Sequence, residues 1–245
     1  MSLSTDGLII KVNNVGEYDR AVSILTATNG VVRAFVHGAR SLKNKNAVGT
    51  SLLSYSRFTL QKKKDTYTVT EASPEKVFIN LRGDIEKLTL AQHFCELALV
   101  LAPEEDEARE YLRLVLNSLS FLSDGSKSDK QLKAITELRM LSLSGYTPDI
   151  VACRECAKFE DDKLFFDPIN AELYCSECCS GGDRFLTFGG GTLAAMRHIV
   201  YSPFENLYNF SLPDASLDVL SHVTETYLLS QVEHKFSALQ FYKNL

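Results

Sequence analysis

No apolar run in this 245-residue chain approaches the roughly 18 residues that a membrane-spanning helix requires. Its first residues, "MSLSTDGLII", lack the basic stretch and long apolar core of a secretory signal, so the expected location is the cytoplasm. Catalytic signatures are missing too. The run "GGGTLAAM" has neither the Gly-Lys-Ser/Thr ending of a phosphate loop nor a fitting strand before it, and Thr192 as a helix N-cap accounts for it better. The five histidines, at 37, 93, 198, 222 and 234, form no His-x-x-x-His pair, and no serine sits in Gly-x-Ser-x-Gly. His93 and His198 fall on helical stretches as packing or surface residues. Nothing assembles a nucleophile, a base and an orienting group, so the expectation is a protein that is not an enzyme. Internal repeats and low-complexity tracts are absent as well, which excludes solenoids and disordered arrays.

What is present is a chain with 45% hydrophobic residues, enough for a substantial core and for two compact units. Its net charge of −5 is unevenly spread. Residues 1–80 carry 11 Lys and Arg against 6 Asp and Glu, a balance of +5, whereas residues 81–245 carry 15 against 25, a balance of −10. The positives bunch at "HGARSLKNKN" (Arg40, Lys43, Lys45) and "LQKKKD" (Lys62, Lys63, Lys64). Such clusters neutralise phosphates, or equally serve as solvated lysines that keep a domain soluble.

Hydrophobic periodicity divides the chain in the same place. Five short segments rich in β-branched and aromatic residues, "DGLIIKV", "RAVSILTA", "GVVRAFVHG", "SRFTLQ" and "DTYTVTEA", predict a small five-stranded barrel, with Asn29-Gly30 as a hairpin turn. Along "VVRAFVHG" the alternation sets Val32, Ala34 and Val36 on one face and Arg33, Phe35 and His37 on the other. Five-stranded barrels of this size commonly show one face to oligonucleotides. After Pro74 the apolar spacing changes to three and four, which predicts helices over "DIEKLTLAQHFCELALVLA", "EDEAREYLRLVLNSLSFLS" and "SDKQLKAITELRMLSLSGY", the last closed by Gly145, and later over "TLAAMRHIVYS" and the long "ASLDVLSHVTETYLLSQVEHKFSALQ". Cys95 lies on the apolar stripe of the first as a core thiol. The expected class is therefore α+β: residues 1–80 an oligonucleotide-binding (OB-fold) β-barrel, then an all-helical domain, 81–245, interrupted at 150–182 by a cysteine module.

That module, "CRECAKFEDDKLFFDPINAELYCSEC", holds Cys153, Cys156, Cys175 and Cys178, with two residues inside each pair and 18 between the pairs. The spacing is that of a four-cysteine zinc site, and four sulfurs leave no open position, so Zn²⁺ would be structural. "KLFFD", "PIN" and "AELYC" read as a strand, a turn and a strand that return the second knuckle to the first. Cys179 competes with Cys178 for the fourth position. Thiol–disulfide chemistry, each pair closing on itself, is the rival use of the four.

The ordered set resembles the RecO family of bacterial DNA repair and recombination mediators. The likeness rests on "VGEYDRAVSILTATNGVVRAFVHGARSLKNK", "LLSYSRFTLQKKKDTYTVTEA", "LRMLSLSGYTPDIVACRECA", "GTLAAMRHIV" and "VEHKFSALQF", in that order along nearly the whole chain. The resemblance implies a nucleoid-associated, non-enzymatic protein that binds single- and double-stranded DNA and anneals complementary strands. It also implies work with RecR and the C-terminal tail of single-stranded-DNA-binding protein to load recombinase. Carried onto this chain, the candidate DNA contacts are Arg20, Arg33, Arg40, Lys43, Lys45, Lys62, Lys63 and Lys64. The acidic helical part departs from that picture and confines DNA to the barrel. An acidic partner tail would need a local basic and apolar groove, with Arg109, Arg113 and Arg197 as candidates. A protein-interaction scaffold whose barrel touches no nucleic acid is the remaining alternative.

Overall fold

The computed structural model describes residues 2–41, 43–63 and 66–245, which form two compact units: residues 1–126 with 236–245, and residues 127–235.

In the first unit, β1 (Ser2–Val15), β2 (Asp19–Thr26), β3 (Val31–Val36), β4 (Ser54–Lys63) and β5 (Thr66–Val77) close into a barrel in the order β1-β2-β3-β5-β4. All neighbours are antiparallel except β3 and β5, whose parallel pairing of Ala34 with Tyr67 and Phe35 with Thr68 seals it. The expected alternation on β3 is observed. Val32, Ala34 and Val36 are buried with Ile9, Val22, Ile24, Phe58, Leu60 and Val69, while Arg33, Phe35 and His37 face outward. Period-2 geometry thus divides one strand between core and surface. At the β2–β3 turn Gly30 has φ +59°, and Thr26 N–H donates to its carbonyl at 2.9 Å. That conformation costs glycine little and any residue with a Cβ more.

Helices α1 (Ile85–Leu101) and α2 (Arg109–Asp124) complete this unit, with α6 (Ser237–Tyr242) from the C-terminus. Asp84 caps α1, its carboxylate accepting from the Glu86 and Lys87 N–H groups. Glu96 accepts from Ser237 N–H, Ser237 Oγ–H and Ala238 N–H, all at 3.0 Å, which satisfies the first turn of α6 from a side chain of α1. His93 packs its ring edge against Phe236, and burial pushes the Cys95 thiol up to about 12, both as expected of core residues.

The second unit holds α3 (Asp129–Leu143), α4 (Gly190–Tyr201) and α5 (Asp214–Gln231) with a three-stranded sheet, β7 (Glu172–Cys175), β6 (Leu164–Asp167) and β8 (Leu186–Phe188). Gly145, at φ +91°, follows the end of α3 as expected. Thr192 is not the cap of α4. The helix begins at Gly190, and the N–H groups of Thr192 and Leu193 already close its first turn on the Gly189 carbonyl. Phe166 of β6 meets Tyr227 of α5 edge-on at 5.4 Å. Where α3 meets α5, the buried Lys133 ammonium lies 3.0 Å from Glu137 and 2.9 Å from Glu225, and Thr224 donates its hydroxyl to Glu137 at 2.8 Å. Among the described residues no helix is long and apolar enough to cross a membrane.

Candidate nucleic-acid interface and metal centre

Strand register assembles the outer face of the barrel. Lys11 on β1 stands opposite Ser23 on β2, and Ser23 opposite Arg33 on β3. One step along, Asn13 stands opposite Ala21, Ala21 opposite Phe35, and Phe35 opposite Thr68 of β5. Directly opposed residues share a face. The result is a groove of about 490 Å³ lined by Lys11, Asn13, Ala21, Ser23, Arg33 and Phe35, with Leu99 beside them. An exposed aromatic ring can stack a base while neighbouring cations hold its phosphates.

Sequence reading found Arg33 on this face but missed Lys11 and Asn13. They reach it because β1 carries a register shift between Ile9 and Lys11, which changes the face each later residue presents. Exposed lysine and asparagine beyond an apolar run were the only local signal.

The other basic candidates are spread around the barrel. Arg20 pairs with Val36, on the parity of the core-facing residues Val22 and Ile24, and its Nε is shielded and takes no hydrogen bond among the described residues. Arg40 lies beyond the far end of β3, where its N–H donates to the Tyr18 carbonyl at 3.1 Å and its guanidinium to the Gly16 carbonyl at 3.3 Å. Asp19 organises this corner, accepting from Gly38 N–H at 2.8 Å and pairing with His37 at 2.9 Å. The Gly38 hydrogen bond, and then His37, hold its carboxyl below the usual range. Lys43 and Lys45 are exposed in the following loop.

At the near end of β3, Lys62 lies 5.4 Å from the Tyr67 ring centre and shares with Arg33 a second pocket of about 390 Å³ that Asn29, Glu104 and Glu105 also line. Of Lys63 only the backbone, at the end of β4, is described, and Lys64 lies outside the described residues. Arg57 is held between Asp6 at 3.0 Å and Glu75 at 2.9 Å. In the helical units Arg109 pairs with Glu107, and Arg197 donates to the carbonyls of Ile150, Val151 and Phe159 while stacking 3.9 Å from the Phe159 ring centre.

The four cysteines converge. Cys153 and Cys156 sit in a loop closed by Cys153 N–H to the Lys158 carbonyl and Ala157 N–H to the Cys153 carbonyl, both at 2.9 Å, with Ala157 at φ +59°. Cys175 ends β7, and its carbonyl accepts from the N–H groups of Cys178 and Cys179. The β6–β7 hairpin brings the two turns together, so that the sulfurs of Cys153, Cys156, Cys175 and Cys178 all lie within 4.8 Å of one another. Cys156 and Cys175 are 3.6 Å apart, close to the roughly 3.8 Å between sulfurs of a tetrahedral site with ~2.3 Å bonds. A disulfide needs about 2.05 Å. The quartet therefore fits a tetrahedral metal ion. Cys179 is not part of it and accepts the Gly181 N–H instead.

The surroundings favour a thiolate at Cys153. Burial pushes the Cys153 thiol up, but N–H groups of Cys156, Cys175 and Glu155 more than offset it and bring it down to about 6. The Cys178 thiol, on the other knuckle, is raised, because it donates its S–H toward Cys156 and Cys175, which favours the protonated form. A bound cation would displace that proton. Lys158 lies 2.9 Å from Glu177 beside this centre, and Asp161 accepts from the N–H and hydroxyl of Ser176.

Residues 1–78 match the family model "Recombination protein O N terminal" and residues 82–240 match "Recombination protein O C terminal". The chain is 35% identical to the DNA repair protein RecO of Acetivibrio thermocellus, over 99% of this chain and 97% of that one. It is 26% identical to the RecO of Symbiobacterium thermophilum over the same shares, and 30% identical to that of Dehalococcoides mccartyi over 71% and 69%. A closed five-stranded barrel, helices after it, a clustered cysteine quartet and matches to both halves in order lead to one assignment: this chain belongs to the RecO family of DNA repair proteins.

Proposed function

We propose that the chain is a non-enzymatic DNA mediator, cytoplasmic and associated with the nucleoid. In this reading it binds single- and double-stranded DNA through the barrel, anneals complementary strands, and acts with RecR and single-stranded-DNA-binding protein to load recombinase. The observation that carries the reading is the cross-strand row on the barrel, Lys11–Ser23–Arg33 beside Asn13–Ala21–Phe35. Lys11 and Arg33 meet phosphates while Phe35 meets a base, a mode of binding that tolerates any sequence. Annealing follows from charge. Two strands repel through their phosphates, and a basic surface that neutralises part of each lets them approach without consuming a nucleotide.

Residues 1–80 are then the nucleic-acid domain and residues 81–245 the body. Family membership supports RecR and the single-strand-binding partner's acidic tail as companions. The cysteine quartet in the 150–182 module is read as a structural Zn²⁺ site: Cys153, Cys156, Cys175 and Cys178 fill every position of a tetrahedron, which leaves none for a reacting water. The metal would supply cross-linking of the two knuckles, and the chain's own contribution is the N–H array around Cys153 that prepares the thiolate.

The test is binding of labelled single-stranded DNA over a salt series, with strand annealing measured in parallel, for the parent protein and for Lys11→Glu, Arg40→Glu and the double variant. Salt-sensitive binding that weakens by about tenfold or more in the double variant, with annealing falling alongside, is the expected result. Equal affinity in parent and double variant would remove the barrel face from the assignment.

A further inference from the structure

Glu104 lies outside the barrel, yet its carboxylate meets the Arg33 guanidinium at 2.6 Å, across 71 positions of sequence. The backbone around it is stitched to the β2–β3 turn. Val31 N–H donates to the Pro103 carbonyl and Ala108 N–H to the Ala27 carbonyl, both at 2.9 Å, and Gly30 forms an isolated strand bridge with Glu104 itself. The fit is so close that a Cβ on Gly30 would lie 2.0 Å from the Pro103 oxygen. Glu104 is therefore presented to Arg33 by a fixed segment. The pocket beside it combines Arg33 and Lys62 with Tyr67, Asn29 and the carboxylates of Glu104 and Glu105.

To a guanidinium, a carboxylate oxygen and a phosphate oxygen are the same kind of acceptor. We propose that Glu104 is an internal competitor for Arg33 that sets how tightly, and with what salt dependence, the barrel holds a phosphodiester backbone. The proposal rests on the reading of the outer barrel face as a nucleic-acid interface and names a residue outside that face as its regulator. A strand that engages Arg33 must first displace Glu104. The side chains of this pair are 71% and 55% exposed, and an exposed ion pair changes an equilibrium by at most about fivefold. The contact tunes binding and does not block it. Because its anchor is backbone, the carboxylate can be neutralised without dismantling the segment.

The experiment is a double-mutant cycle on single-stranded DNA affinity, comparing the parent chain, Glu104→Gln, Arg33→Gln and Arg33→Gln/Glu104→Gln from low to moderate salt, with thermal unfolding confirming that all four are folded. Glu104→Gln is expected to bind about three- to fivefold tighter at low salt, with a log–log salt slope steeper by about 0.7, the increment of one further phosphate contact on a single strand. In the Arg33→Gln background the same change should bring no gain. Parent-like affinity for Glu104→Gln overturns the proposal, as does an equal gain with and without Arg33, which would mean a general loss of negative charge. If the parent binds and only the coupling vanishes, Glu104 alone is dismissed. If no member of the cycle binds DNA, the interface itself fails and the proposal with it.

Discussion

Cys156 and Cys175 bring their sulfurs to 3.6 Å across 19 positions of sequence, from a loop and from a strand end, in the arrangement of two ligands on one cation. The chain should accordingly carry one zinc per molecule as purified, released by a thiol-modifying mercurial and read with a chromophoric chelator. Cys175→Ser should lose most of that metal and much of the stability of residues 127–235, because binding of roughly 10–16 kcal/mol is coupled to folding in comparable sites. Two intramolecular disulfides and no metal would favour redox chemistry.

Gly30 combines φ +59° with contact against the segment that carries Glu104. Gly30→Ala adds a Cβ where Pro103 leaves no room, in a conformation that non-glycine residues resist. We expect a loss of about 3 kcal/mol in urea unfolding, with the Arg33–Glu104 contact disturbed. A loss below about 0.5 kcal/mol would show that the segment moves freely.

Lys133 is 3% exposed and shared between Glu137 and Glu225. Lys133→Met removes the cation and leaves two carboxylates in the α3–α5 interface, so a loss of about 3–5 kcal/mol is expected by chemical denaturation. The triple change Lys133→Met/Glu137→Leu/Glu225→Leu should recover much of it. No recovery would mean that packing rather than charge is what Lys133 provides.

Asp19 should make the barrel acid-sensitive. Its carboxyl is held below 3.8, first by the Gly38 N–H and then by His37, so the stabilising contribution is complete above that value and is lost as pH falls through the lower folded value. Urea midpoints of the parent and of Asp19→Asn should differ near neutrality and converge as pH falls below 3.8 and through the lowered folded value. A constant gap over that range would show that the carboxylate's charge is immaterial.

The readable features were those written in short-range spacing. Alternation along "VVRAFVHG" placed Val32, Ala34 and Val36 inside and Arg33 and Phe35 outside, because a strand's side chains alternate whatever surrounds it. Two Cys-x-x-Cys turns flanking a hairpin brought four sulfurs together, because such turns and the hairpin between them are local structures. The helices followed from their apolar period with two departures. Residues 215–240, which read as one long helix, are broken over 232–236 into α5 and α6, the latter held by a remote side chain, Glu96. The other is α4, which starts earlier than expected, where glycines left the first turn without a side-chain marker.

Features that join distant positions depended on register and closure. Lys11 joins Arg33 only through a shift in β1 and two strand pairings, and the pairing that faces Arg20 toward Val36 is equally invisible in its own neighbourhood. β8 is a three-residue strand whose pairing with β6 has no signature of its own. Arg33 meets Glu104, and Lys133 meets Glu225, across 71 and 92 positions of a chain whose local patterns constrain neither partner. Backbone geometry dictates what a side chain does within a few residues. Which remote charge it answers to is decided when sheets close and helices pack, since only then do two residues share a dielectric and a distance.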